Sequence, residues 1–322
     1  MMKTIIIIVA VSCTVTAVHA AWVYEGQWGS FGTGDGQFNL PEGIAVTLSG
    51  NIYAADTQNH RVQYFTPTGS FLGKWGARGS ADGQFNNPRH LAAAANVDIY
   101  VADTGNDRVQ YFTSNGHYLG KWGSSGTGNG QFRGPTGITV TLTNNVYVTD
   151  PTNHRIQYFT MTGSYLGKWG SGPGSGNGQF NFPQGVAVGR QGTVYVADTD
   201  NHRIQYFTAS GSFLGKWGSN GTGDGQFQSP IGITVAPNDD VYVADWNNYR
   251  VQYFTWNGFF KGKFGSEGTG DGQFKHPIDL GFSPSGARLY VLDQYNDRIQ
   301  YFRDTTAAVA PASLGKVKAV FR

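Results

Sequence analysis

Cysteine is nearly missing from this chain of 322 residues, the single copy being Cys13. It falls in an N-terminal stretch with Lys3 near its start, an apolar run from Ile5 to Val11 and small residues up to Ala20, which is the pattern of a secretory leader over residues 1–20. Cleavage there leaves a mature chain with no thiol, which excludes a disulfide framework and puts the burden of stability on packing. "AVSC" also admits a lipobox with Cys13 acylated, although Ala10 is a weak first residue for one. The chain is thus expected to be secreted and extracellular, or periplasmic or lipid-anchored if its source is bacterial.

Long apolar runs are equally scarce, and nothing after the leader approaches the roughly 20 residues of a membrane helix. Charged residues make up only 14%, and 23 basic against 21 acidic side chains give a net +2, or about +1 without Lys3. That balance excludes a broad basic field for non-specific nucleic-acid binding. "GxxxxGK", "GxSxG" and "HExxH" are all absent, so phosphate-loop, nucleophile-elbow and zincin chemistry lack their sequence carriers.

Glycine, by contrast, is abundant at 47 residues, and aromatics reach 14%, a composition suited to a β protein with many tight turns. "GTGDGQF" at Gly32 recurs in close variants at Gly79, Gly126, Gly174, Gly221 and Gly268, with spacings of 47, 47, 48, 47 and 47 residues. A fixed period of this size marks solenoids or propellers. Each unit holds four short β-type runs, in the first "PEGIAVTL", "NIYAADT", "HRVQYF" and "SFLGKWG", parted by turn residues. Four such strands make an antiparallel blade, and apolar residues on both faces place each sheet between two neighbours. The expected fold is all-β: a six-bladed β-propeller of four-stranded antiparallel blades over residues 21–303, with residues 304–322 as a tail or degenerate strand. "WVYEGQWG" matches the fourth-strand pattern before any first strand has appeared, so Tyr24 to Trp28 would complete blade six and close the ring. "ASLGKV" at Ala312 to Val317 competes for the same slot.

"DTQNHRVQYF", "DPTNHRIQYF" and "DTDNHRIQYF" resemble the NHL repeat, named for its Asn-His-Leu signature, over roughly residues 22–303. The resemblance implies a six-bladed propeller, in agreement with the strand count. Arg stands in place of the signature Leu, and Asp107, Tyr249 and Asp297 stand where His would. In this frame "GTGDGQF" joins the outer strand of one blade to the inner strand of the next. It offers one Asp at best, and Asn129 or Asn177 in two copies, too few ligands for calcium; it reads as a turn.

Six Asp and Arg pairs are spaced by five residues: Asp56 with Arg61, Asp103 with Arg108, Asp150 with Arg155, Asp198 with Arg203, Asp245 with Arg250 and Asp293 with Arg298. Each would close a hairpin mouth as a structural ion pair rather than bind an anion. The recurring Gln37 and Gln63 and the series Trp75, Trp122, Trp169 and Trp217 also read as scaffold. A binding site on a near-symmetric ring must break the symmetry. The inner-strand entrances differ at Glu42, Arg89, His90, Gln184 and Asp279, and the loops of blades five and six differ at Trp246, Asn247, Tyr249, Gln294 and Tyr295. All of these lie on one face, where the aromatic and charged side chains resemble interface anchors.

These residues point to a non-catalytic scaffold for a protein, peptide or glycan ligand, monomeric and without cofactor or metal. One secreted NHL-like branch, peptidyl-α-hydroxyglycine amidating lyase, holds zinc with three His near the inner strands, so the resemblance leaves a metal-dependent lyase as the alternative. Only His90 of the mature chain lies in an inner strand here, with His60, His154 and His202 in separate hairpins, His117 in a turn on the opposite face and His276 before its strand. Glu42 and Asp279 could also pair as acid and base across the channel. RNA binding, known for intracellular NHL proteins, is disfavoured by the leader and the charge balance. Asn220-Gly221-Thr222 is the one glycosylation sequon.

Overall fold

In a computed structural model, which describes residues 22–170 and 172–305, six four-stranded antiparallel sheets follow one another around a central channel. Blade one runs from the channel outward as Gly43–Val46, Ile52–Asp56, Arg61–Phe65 and Phe71–Trp75. Its second strand is buried at every position, while the outermost alternates between half-buried and exposed. That gradient follows from stacking: inner strands are covered on both faces by neighbouring blades, and the rim meets water on one side. The only helical segments among the described residues are six single 3₁₀ turns, in agreement with the expected all-β fold.

Each blade is tied together by a polar knot that also explains the glycine-rich connector. Asp56 lies opposite Arg61 across the mouth of the hairpin, with Nε and Oδ2 2.6 Å apart. The same guanidinium then reaches back to the connector, donating to Thr33 O at 2.7 Å, Gly34 O at 2.8 Å and Gln37 O at 2.9 Å. Asn59 donates to Gly32 O and to Asp56, and Gln63 donates to Gln37 O while accepting from Gly36 N–H. "GTGDGQF" is therefore a loop wrapped around a guanidinium, its carbonyls turned inward as acceptors. Phe38 at its end is fully buried and packs on Phe65 between blades. Asp35 points outward to an exposed contact with Lys74. Equivalent Asp–Arg contacts of 2.7–2.8 Å recur at the other five pairs.

Blade six closes the ring as the sequence suggested. Pro277–Phe282, Arg288–Asp293 and Arg298–Asp304 supply three strands, and Trp22–Trp28 adds the fourth, pairing Trp22 with Asp304 and Trp28 with Ile299. Glu25 clamps the join by contacting Arg288 at 2.6 Å and Arg303 at 3.0 Å. Gln27 adds a hydrogen bond from Arg298 to the blade-six knot. The leader with Cys13 and the competing "ASLGKV" lie outside the described residues.

The outer tryptophans join blades around the rim. Trp28 covers Gly69 of blade one so closely that a Cβ there would meet the indole at 2.6 Å, and Trp75, Trp122, Trp169 and Trp217 cover the equivalent glycines. Breaking one Asp–Arg knot strands a buried carboxylate and several connector carbonyls, so Arg203→Ala should cost on the order of 3–5 kcal/mol. Lys121→Ala, which removes only an exposed contact with Asp82, should leave the denaturant midpoint unchanged. Equal midpoints for both variants would contradict the assignment.

Candidate functional site

Every blade enters its inner strand through a proline, and the second residue after it faces the next blade. Four blades place Gly43, Gly137, Gly185 and Gly232 there. A Cβ on Gly43 would lie 2.5 Å from Arg89 O, and on the others it would collide with the carbonyls of Gln184, Ile231 and Ile278. Blades two and six place His90 and Asp279 instead, and these two side chains meet beside the glycines with Nε2 2.9 Å from Oδ2. Asp279 is 1% exposed and accepts the Ile44 N–H at 2.8 Å through the same Oδ2, while its Oδ1 has no partner. The pairing of His90 and Asp279 ties blades two and six across blade one.

Burial disfavours the imidazolium of His90, but the Asp279 charge and hydrogen bond outweigh it and raise the pKa above the ordinary value. The Ile138 N–H approaches Nδ1 at a long 3.4 Å and, needing an unprotonated acceptor, opposes that effect only weakly.

Above this pair, Glu42 and Arg89 lie 3.2 Å apart at the mouth. Burial raises the Glu42 pKa, with Arg89 pulling the other way. Glu42 and Asp279 thus each have a basic partner of their own, Arg89 and His90. Beside the mouth opens a hollow of about 430 Å³ lined by Glu42, Arg89, Gln184, Trp246, Tyr295 and Phe182, among others. Six of the ten expected residues, Gln294 included, therefore share one concavity, His90 and Asp279 lie below it, and Asn247 and Tyr249 stand outside its lining.

Tyr249 marks a break in a blade-to-blade latch. After each 3₁₀ turn comes a left-handed residue, His60, Asp107, His154, His202, Tyr249 or Asp297, with φ between 49° and 54°. Asn, Asp and His tolerate that region, which explains why Asp replaces His so freely. Five of these side chains accept a backbone N–H from the next blade, as His60 Nδ1 does from Asn87 at 3.1 Å and Asp297 Oδ1 from Leu40 at 2.8 Å. Tyr249 cannot accept in this way and instead packs its ring 4.8 Å from that of His276. Trp246 lies 4.2 Å from the same imidazole and donates to Gln294 at 3.2 Å, and Tyr295 stands 4.9 Å from it. An aromatic cluster thus replaces the latch between blades five and six.

His276 and Phe182 were not among the expected site residues. Both immediately precede an inner-strand proline, at the place held by Leu40, Asn87, Gly134 and Ser229, and comparison of that column would have singled them out.

The NHL repeat profile matches residues 38–65, 132–159, 180–207 and 227–254. The chain belongs to the NHL-repeat propellers. The two blades outside those matches are the ones that carry His90 and Asp279. Over 49 residues, 15% of this propeller, the sequence is 47% identical to the B-box type zinc finger protein ncl-1 of Caenorhabditis elegans, of which it spans only 6%. In fold, the NHL-repeat propeller is similar to a Bacteroides thetaiotaomicron protein of unknown function, with TM-score 0.67, 16% identity and coverage of 86% of this chain and 76% of that one. It is also similar to a gluconolactonase from Xanthomonas campestris, with TM-score 0.64, 16% identity and coverage of 84% and 88%. Among the described residues no three His, Cys, Asp or Glu stand close enough to hold a metal.

Because the folded pKa of His90 is raised, its pairing with Asp279 stabilises fully below its ordinary value of 6.5, and that gain fades as pH rises through the folded value. Chemical denaturation against pH should show this slope in the native protein and lose it in His90→Gln. Identical slopes would mean that the pair carries no linked proton.

Proposed function

We propose that this NHL-repeat propeller is a secreted, non-catalytic scaffold that holds a segment of a protein or peptide ligand over the channel mouth. The observation that carries the reading is the hollow where the latch between blades five and six gives way to aromatic residues. Trp246, Tyr295 and Phe182 offer apolar area, and Glu42, Arg89 and Gln184 offer both charges and a carboxamide on the same wall. A peptide has matching parts in its side chains and its backbone amides, and Trp, Tyr and Arg are the residues that dominate such interfaces. The rigid ring supports tight binding because little loop ordering is needed. Secretion rests on the leader-like composition of residues 1–20, and no helix among the described residues is long and apolar enough to cross a membrane.

Against an amidating lyase stands the donor set. His90 is held by Asp279, and the other histidines that accept from neighbouring blades, His60, His154 and His202, sit in separate hairpins. Against RNA binding stands the hollow itself, where Glu42 and Asp200 accompany a single Arg89.

Peptides selected on the native protein from a displayed random library should bind Trp246→Ala combined with Arg89→Ala about 30-fold more weakly, with thermal stability retained. Unchanged affinity would reject this site. Elemental analysis of the purified protein should find no stoichiometric zinc, and thermal stability should not respond to added zinc; bound zinc would reinstate the lyase.

A further inference from the structure

The turns that join third to fourth strands lie on the face opposite the channel mouth and read "TPTG", "TSNG", "TMTG", "TASG" and "TWNG" from blade one to blade five. The scaffold needs only a backbone carbonyl from the second residue. Tyr290 OH donates to Pro67 O, Tyr53 OH to Ser114 O, Tyr147 OH to Ala209 O and Tyr195 OH to Trp256 O, all at 2.9–3.0 Å. Pro, Ser and Ala serve that bond as well as Trp does. Trp256 is nevertheless 56% exposed, and Phe259 in the same turn stands where the other blades carry Ser or His.

Trp256 lines a recess of about 240 Å³ between blades four and five, together with Gly189, Gln191, Thr193, Tyr195 and Asp239. The recess between blades three and four is an internal control. There Ala209 stands in place of Trp256 and Gly192 in place of Asp239, and the space is wider at about 430 Å³. Asp239 occupies a left-handed turn position, φ 65°, that glycine fills in three other blades. Its Oδ1 accepts the Arg190 N–H at 3.1 Å, and no other hydrogen bond or ion pair engages its carboxylate among the described residues.

A pyranose ring presents a flat C–H face and a rim of hydroxyls that both donate and accept. The indole matches the face, the Asp239 carboxylate accepts, the Thr193 hydroxyl does either, and the Gln191 carboxamide does both. An organic cation would use only the acceptors. The space is smaller than the about 300 Å³ at which drug-sized pockets begin, which suits one ring. We propose that this recess is a saccharide subsite for a single neutral pyranose unit, independent of the channel mouth.

The probes are the methyl glycosides of glucose, galactose, mannose and N-acetylglucosamine, followed by saturation-transfer NMR and titration. At least one should receive saturation on its ring protons. Trp256→Ala, which Ala209 shows the turn accepts, should weaken it by about tenfold or more, and Asp239→Asn should weaken it as well. Trp246→Ala on the other face should bind as the native protein does. The proposal falls if none of the four glycosides binds, if Trp256→Ala binds unchanged, or if Trp246→Ala alone loses the sugar. Displacement of a bound glycoside by tetramethylammonium would likewise overturn it, because the recess would then be an organic-cation site.

Discussion

The guanidinium at the head of each third strand is where the blade, the turn and the connector meet. Arg61 is nearly buried beside a fully buried Asp56, and an arginine with five donors in that setting needs an acceptor in every direction. The carboxylate supplies one side, and the connector supplies the rest through carbonyls 24 to 28 residues upstream. A glycine-rich loop can curl its carbonyls inward at little steric cost, so the conspicuous "GTGDGQF" follows from the arginine and not from a ligand. The buried Phe that ends the loop then seats the next inner strand against its neighbour. Local geometry in each blade thereby sets the angle at which successive blades meet.

Six copies of one solution leave little room for a specific site unless some copies differ, and they differ in three places. At the channel, His90 and Asp279 replace glycines. On the rim of the same face, Tyr249 replaces a hydrogen-bond acceptor and gathers Trp246, His276 and Tyr295 around it. On the far face, Trp256 and Asp239 furnish one inter-blade recess whose neighbour is plain. The first two lie together and the third stands apart, so one ring can present separate surfaces without altering its scaffold.

The strand count, the closure by Trp22–Trp28 and the six Asp–Arg pairs were legible in the sequence because each was either repeated or conspicuously unpaired. The grouping of Glu42, Arg89, Gln184, Trp246 and Tyr295 was also legible, since chain direction alone puts inner-strand entrances and second hairpins on one face. The partnering was not. That Asp279 takes His90 as its partner depends on the close approach of glycine-bearing strands, which no spacing reveals. The role of the left-handed His and Asp residues was hidden for a similar reason, because each one's partner lies in the next repeat. Trp256 looks like drift in a turn until the Tyr195 hydroxyl shows that the scaffold asks nothing of that side chain.

The seam in blade six also has a kinetic meaning. Trp22 pairs with Asp304, 282 residues later by subtraction, so no ring can exist until nearly the whole chain has been made. At about 5–20 residues per second, the first strand waits on the order of 15 to 60 seconds for its partner while the inner blades assemble on their own local contacts. During that interval the molecule is an open arc with an unpaired edge at one end and a loose strand at the other. Two such arcs could exchange first strands, making the seam the natural place for domain-swapped dimers when synthesis is slow or the chain is crowded.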